Sequence, residues 1–225
     1  MGKIAFIFPG QGAQSVGMGK DVYEHSAVGK EVYDRFDEII GRKLTNVCFN
    51  GPEEDLKQTI NTQPAILATS LALLEVLKEK TDITPDFVAG HSLGEYGALY
   101  TAGVLSLDDT IKAIAKRAEL MSLAKSGSMA AVLGLSQDVL EEIISGVDGV
   151  VSIANYNTPE QLVITGEEQV VAEVSKLASE KGAKRVIPLA VSGAFHSALM
   201  KPAGEEFASF VKTLKFNDAS IPVVT

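Results

Sequence analysis

At 225 residues, with 46% hydrophobic and 22% charged residues, the chain can bury a sizeable core, and its composition excludes a disordered, fibrous or disulfide-stapled protein. A formal charge of −9 argues against general nucleic-acid or anionic-membrane binding. The single Cys48 excludes an internal disulfide and fits a reducing, cytoplasmic setting, and with no Cys/His cluster around it no metal site is expected.

Met1-Gly2-Lys3 runs straight into a strand-like stretch over residues 3–8, without the pattern of a signal peptide. Pro9 ends that strand and opens a glycine-rich loop over residues 9–19. A dinucleotide fingerprint starting at Gly10 would need glycine at position 15, and the chain has Ser15, so that reading fails. What remains is a flexible-backbone loop at the carboxyl end of a first strand, where α/β proteins hold ligands. Helical periodicity follows over 28–40, 52–59 and 63–80, the last with Thr62 as its expected cap and Pro64 near its start. Its apolar run over 64–77 is short for a membrane span and carries Glu75.

The apolar Phe87-Val88-Ala89 then gives way to Gly90-His91-Ser92-Leu93-Gly94 and a helix-like segment to Ala102. G-x-S-x-G between strand and helix is the context of a nucleophile elbow, in which the glycines let strand and helix close around a strained serine. Ser106-Leu107-Asp108-Asp109 reads as a capping box opening a long helix over 108–124, with Ile111, Ile114, Ala115, Ala118 and Met121 on its apolar face. The rhythm then changes: strand 128–135, helix 137–145, strands 150–155 and 161–165 joined by an Asn157-Thr158-Pro159 turn, helix 169–180 and strand 184–188. That order, βαββαβ, is the split βαβ, ferredoxin-like unit. Gly127 and Ser192-Gly193 punctuate its ends, so residues 127–190 are expected as a small domain inserted into a large α/β domain of residues 1–126 and 191–225. A helix over 198–213 and a strand over 221–225 complete the chain; an uncovered final strand is unusual in a parallel sheet, so the chain reads as cut short there.

A serine hydroxyl needs a base and a site for the oxyanion. Of the three histidines, His91 adjoins Ser92 and points away, and His25 precedes an amphipathic helix as a surface residue. His196, in a small-residue loop just before a helix, is the remaining candidate base. No acid between Ser92 and His196 offers a convincing third member, since the candidates read as solvated or capping positions. The oxyanion donors expected of such an elbow are the amides of Leu93 and of a residue in the glycine-rich loop near Gln11. Arg117, on or beside the apolar face of the long helix, is open between a snorkelling side chain, a pair with Glu119, and a clamp on a substrate carboxylate.

Together these residues resemble the malonyl-CoA:acyl carrier protein transacylases of fatty acid synthesis and, more broadly, the acyltransferase domains of polyketide synthases. The resemblance runs through nearly the whole chain and rests on Phe8-Pro9-Gly10-Gln11-Gly12, Thr62-Gln63-Pro64-Ala65, Gly90-His91-Ser92-Leu93-Gly94-Glu95-Tyr96, the Arg117 helix, Met129-Ala130-Ala131-Val132, residues 155–161 and the His196 loop through Ala203. It implies an α/β-hydrolase-like core with a parallel sheet, and a ping-pong transfer through malonyl-Ser92 with His196 as base and the Gln11 and Leu93 amides as oxyanion donors. It also implies that Arg117 binds the malonyl carboxylate, that Gln63, Asn155 and Asn157 border the pocket, and that Phe195 leaves no room for a methylmalonyl branch. Malonyl-CoA would be a substrate rather than a cofactor, and no cofactor, metal, nucleic acid or membrane is expected; the chain is expected to be a cytoplasmic monomer. In the family the histidine is held by a later residue, so the chain as given is expected to lack that group. The acidic carrier protein would be met by a basic patch of Lys181, Lys184, Arg185 and Lys201. A serine hydrolase or thioesterase on the same elbow, and a non-catalytic carrier-docking fragment, are the competing readings.

Overall fold

The structure, a computed structural model, describes residues 2–124, 126–191 and 193–225; Ser192 of the exit loop lies outside the described residues. The chain forms two compact units, Met1–Glu119 with Ser209–Thr225, and Leu120–Ala208.

In the first unit, β1 (Ala5–Phe8) leads through the glycine-rich loop to α1 (Lys20–His25), α2 (Ala27–Ile40), α3 (Leu44–Asn50), α4 (Glu53–Lys57) and α5 (Thr59–Lys80). β2 (Phe87–Gly90) follows, then a 3-10 turn over Ser92–Gly94, α6 (Glu95–Thr101) and α7 (Leu107–Leu123). The Ser106 hydroxyl accepts from the Asp109 amide at 3.1 Å, capping α7 as its sequence leads one to expect. The core gathers Phe36, Leu67, Leu71, Val88, Leu93, Ile111 and Ile114, all nearly or fully buried.

Two helix boundaries differ from expectation. The helix expected over 52–59 is broken at Gln58, whose extended backbone (ψ 128°) separates α4 from α5. α5 then begins at Thr59, so Thr62 is an interior residue and Pro64 lies inside the helix. Pro64 has no N–H to give the Ile60 carbonyl. The Arg42 guanidinium supplies that bond instead, with Nη2 2.9 Å from the Ile60 oxygen. The Thr62 hydroxyl donates to the Leu56 and Gln58 carbonyls and ties the start of the helix to the incoming chain. α5 is long and apolar enough to span a membrane by length and composition, and 61% of its apolar window is buried within the fold.

The second unit runs β3 (Ser128–Leu133), α8 (Gln137–Ser145), β4 (Val151–Thr158), β5 (Gln161–Gly166), α9 (Glu168–Glu180) and β6 (Arg185–Pro188). After a 3-10 turn over Ala198–Met200 comes α10 (Lys201–Val211), which leads back to β7 (Val223–Val224) in the first unit. The sheet order β4-β5-β3-β6, with every neighbour antiparallel, is that of the expected βαββαβ unit. Successive side chains along β3 face opposite ways. Ala130 and Val132 pack with Leu140, Val171 and Val174 of the two helices, while Met129 and Ala131 meet Val163, Met121 and Phe195 on the other face. β4 is longer than expected. Two register shifts keep it paired with β5 as far as Thr158, so Asn157 and Thr158 are strand and the turn falls after them.

Candidate active site

β1 and β2 pair in parallel with Phe8 opposite Gly90, so the glycine-rich loop and the elbow leave the sheet side by side at its carboxyl end. The contact between them is close. The His91 amide donates to the Phe8 carbonyl at 3.0 Å, and the Gly94 amide to the His91 carbonyl at 3.0 Å. A Cβ on Gly10 would lie 2.3 Å from His91 Nδ1, one on Gly94 2.3 Å from the Phe8 oxygen, and one on Gly90 2.0 Å from the Gly94 carbonyl carbon. Glycine is needed at these positions for backbone approach. Ser92 itself has φ 54°, a left-handed backbone that costs a non-glycine residue about 1–2 kcal/mol.

The Ser92 hydroxyl accepts a bond from Arg117 Nη2 at 2.8 Å. Arg117 Nη1 donates to Gln63 Oε1 at 2.6 Å, and the guanidinium carbon stands 6.0 Å from the centre of the Tyr96 ring. Gln63 is 1% exposed. Among the described residues no carboxylate lies within ion-pair distance of Arg117; Glu119 pairs with Lys116 at 3.1 Å instead. Burial lowers the Arg117 pKa below the usual arginine value, against an opposing pull from Tyr96 and Glu95. An arginine side chain stays protonated at neutral pH regardless. This is a half-buried cation held by an amide oxygen, a hydroxyl and a ring face, the arrangement that receives an anion. Leu93, the residue after Ser92, is 1% exposed, and Gln11 donates through Nε2 to Thr59 Oγ1 at 3.4 Å. His25 behaves as the surface residue expected, its Nδ1 2.9 Å from the Asp21 carbonyl.

In the second unit His196 is exposed and has φ 61°. With Ser92 it is one of two non-glycine residues in the left-handed region among the described residues. Backbone strain of this kind persists where the surroundings over-determine it, and it concentrates at functional positions. The surroundings here are explicit. The Thr165 hydroxyl donates to the Phe195 carbonyl at 2.8 Å, immediately before His196. Immediately after it, the Ser197 hydroxyl donates to the Ala194 carbonyl at 2.7 Å and accepts from the Leu199 amide at 3.2 Å. Phe195 is 4% exposed, wedged against Met121, Met129, Ala131 and Val163.

Asn155 lies opposite Val163, half-buried, while Asn157 is exposed further along β4. Of the four expected patch residues, Lys181 pairs with Glu142 at 3.6 Å, Lys184 with Glu160 at 3.1 Å and Lys201 with Glu205 at 3.9 Å. Arg185 stands exposed on β6 opposite Leu133.

The pattern of the acyl transferase domain matches residues 5–224 of this chain. The chain belongs to the acyl transferase domain family. Among its relatives, the malonyl CoA-acyl carrier protein transacylase of Bacillus subtilis (strain 168) is 48% identical over 231 residues, covering 100% of this chain and 73% of that protein. A solved acyl carrier protein S-malonyltransferase from Vibrio cholerae superposes with a TM-score of 0.94 at 42% identity, over 100% of this chain and 75% of that one. A type II PKS acyl-carrier protein in complex with its malonyl-transacylase gives 0.95 at 37% identity, over 100% and 74%.

Two residues of this acyltransferase escape a reading of the sequence alone. Tyr96 sits four residues past Ser92, one helical turn on, and that spacing was the available signal for its place under Arg117. Thr165, fully buried at the end of an apolar strand, gives no such signal; its role depends on the Phe195 carbonyl arriving from 30 residues away.

Proposed function

We infer that the chain is a malonyl-CoA:acyl carrier protein transacylase, which moves a malonyl group from malonyl-CoA to the phosphopantetheine thiol of an acyl carrier protein in fatty acid synthesis. The observation that carries this reading is the Arg117 guanidinium, 2.8 Å from the Ser92 hydroxyl and bonded only to neutral groups among the described residues. A hydrolase of simple esters has no use for a cation there. A transferase whose acyl group ends in a carboxylate does.

In the proposed cycle Ser92 Oγ attacks the thioester carbonyl while His196 takes its proton. The C–S bond breaks, CoA leaves as the thiol with that proton, and malonyl-Ser92 remains. The carrier thiol then gives its proton to His196 and attacks the ester, and Ser92 recovers its hydroxyl. The amides of Gln11 and Leu93 receive both oxyanions, each contributing roughly 3–4 kcal/mol on the scale known for such donors. Gln63, Asn155 and Asn157 border the acyl pocket, and Phe195 excludes a branched methylmalonyl group. Lys181, Lys184, Arg185 and Lys201 dock the acidic carrier. The exposed pairs that three of them make are worth about 0–1 kcal/mol each, so carrier carboxylates can replace them. The enzyme works as a cytoplasmic monomer without a cofactor.

Intact-mass measurement after mixing with malonyl-CoA tests the reading. Wild type gains one malonyl group and Ser92→Ala gains none; a wild type that gains none refutes it. The similarity to a type II PKS transacylase favours a second reading, transfer to a polyketide carrier. Comparing the two kinds of carrier as acceptor decides between them.

A further inference from the structure

We propose that Arg117 gates the nucleophile: its guanidinium rests on the Ser92 hydroxyl in the free enzyme and yields it when a substrate carboxylate arrives. This deepens the malonyl-transfer reading and rests on it for the identity of that carboxylate.

The geometry is that of a resting contact. Arg117 Nη2 lies 2.8 Å from Ser92 Oγ, and Nη1 lies 2.6 Å from Gln63 Oε1. A hydroxyl oxygen has two lone pairs. One is committed here to a full positive charge, which draws electron density away from the atom that must attack. The guanidinium's present partners are neutral, and its contact with the Tyr96 ring, at 6.0 Å, is at the limit of such attraction. A carboxylate offers bidentate, charge-assisted bonds about twice as strong as those to neutral acceptors, and so outcompetes both the hydroxyl and the amide. A neutral acyl group offers nothing comparable. Once Ser92 is acylated, Oγ is an ester oxygen and a poor acceptor, so the guanidinium stays with the malonyl carboxylate. When the malonyl group leaves, the hydroxyl and its contact with Arg117 return together. Selection for a dicarboxylate thus includes exposing the nucleophile as well as holding the substrate, and Arg117 acts on Ser92 as a positioning residue.

The test uses an uncharged probe that needs no binding by Arg117. Methanesulfonyl fluoride forms an Oγ–S bond to Ser92 as the S–F bond breaks, with fluoride leaving and the hydroxyl proton passing to the base. Its rate is followed by intact mass with acetate or with chloride at equal ionic strength. Acetate should accelerate labelling of wild type roughly tenfold or more, saturably, as expected for release of a bond to a charged donor. Gln63→Glu, which sets a carboxylate against the guanidinium, should label fast without acetate, and Arg117→Ala should be fast and insensitive to it. Acetate that slows labelling of wild type or leaves it unchanged overturns the proposal, as does equal acceleration in Arg117→Ala. Malonyl-CoA labelling measured alongside keeps the two readings apart. An acetate-insensitive enzyme that still forms malonyl-Ser92 loses the gate and keeps the transferase.

Discussion

Replacing Gly94 by alanine tests the packing that holds the elbow. Gly94 has φ −62° and ψ −21°, an ordinary helical backbone, so alanine brings no conformational penalty there. The obstacle is space. The new Cβ would stand 2.3 Å from the Phe8 oxygen and 2.8 Å from both the Phe8 carbonyl carbon and the Pro9 oxygen. A carbon–oxygen contact relaxes at roughly 3.3–3.6 Å, so the end of β1 must retreat by about 1 Å. That retreat stretches the 3.0 Å bond from the His91 amide to the Phe8 carbonyl beyond hydrogen-bond range. Overpacking of this kind costs about 1–3 kcal/mol and the lost bond about 1 more, giving roughly 2–4 kcal/mol. For a chain of this size that is a fall in Tm of roughly 5–15 °C, measured by circular dichroism. Activity should fall further than stability at temperatures where the variant stays folded. The glycine-rich loop rides on the displaced end of β1, and the elbow that carries Ser92 and the Leu93 amide loses its bond to that strand; a misplacement of about 1 Å can cost on the order of a hundredfold in rate. A Gly94→Ala enzyme with Tm within about 2 °C of wild type and a wild-type rate of malonyl labelling would refute the close-approach account.

Arg117→Ala should lower kcat/KM for malonyl-CoA roughly 10–100-fold by removing charged hydrogen bonds, while acetyl transfer holds or rises; parallel assays with the two thioesters measure the ratio. Thr165→Val, nearly isosteric, removes the bond to the Phe195 carbonyl beside His196. It should slow malonyl labelling more than its loss of about 1 kcal/mol in urea unfolding would suggest. Arg42→Ala leaves the Ile60 carbonyl without the guanidinium that replaces the missing Pro64 N–H, and should cost about 1–3 kcal/mol in the same unfolding assay. Burial pushes the Cys48 thiol from 9.0 up to about 11, so iodoacetamide at pH 8 should modify it only in unfolded protein. Because the folded value is the higher one, the thiol's contribution to stability is complete below pH 9 and drains away towards pH 11, a slope that Cys48→Ala should lack in Tm measurements.

Where a local rule has one solution, the sequence is legible. Gly90, Gly94 and the strand before them announce the elbow because no side chain fits where two backbone segments touch. The βαββαβ unit is legible because short apolar strands are separated by helices that keep a 3.6-residue period, and α8 begins and ends where that period does. Elsewhere the deciding partner comes from far along the chain. Pro64 reads as a first-turn proline until Arg42, 18 residues away from Ile60, is seen to take over the orphaned carbonyl. Arg117 has three readings in the sequence; the bonds that hold its guanidinium come from Gln63, 54 residues away, and from Ser92, 25 residues away. Asn157 looks like a turn residue by composition, yet register shifts in the pairing with β5 keep it in the strand.

The backbone strain at Ser92 and His196 has a common logic with two different supports. Left-handed backbone costs each residue about 1–2 kcal/mol, and neither is a glycine that could adopt it freely. At Ser92 the compensation is close packing: Gly90 and Gly94 let β1, β2 and α6 approach until no relaxed alternative remains. At His196 it is hydrogen bonding, with Thr165 holding the carbonyl before the residue and Ser197 closing the turn after it. Phe195 anchors that turn in an apolar pocket of its own unit. The two supports have different failure modes. Adding volume at a glycine of the elbow disturbs stability and chemistry together, whereas removing the Thr165 hydroxyl leaves a folded unit whose His196 turn can relax towards ordinary backbone angles. Strain held at two positions by unrelated means persists because its surroundings over-determine it, and strain of this kind clusters at functional sites.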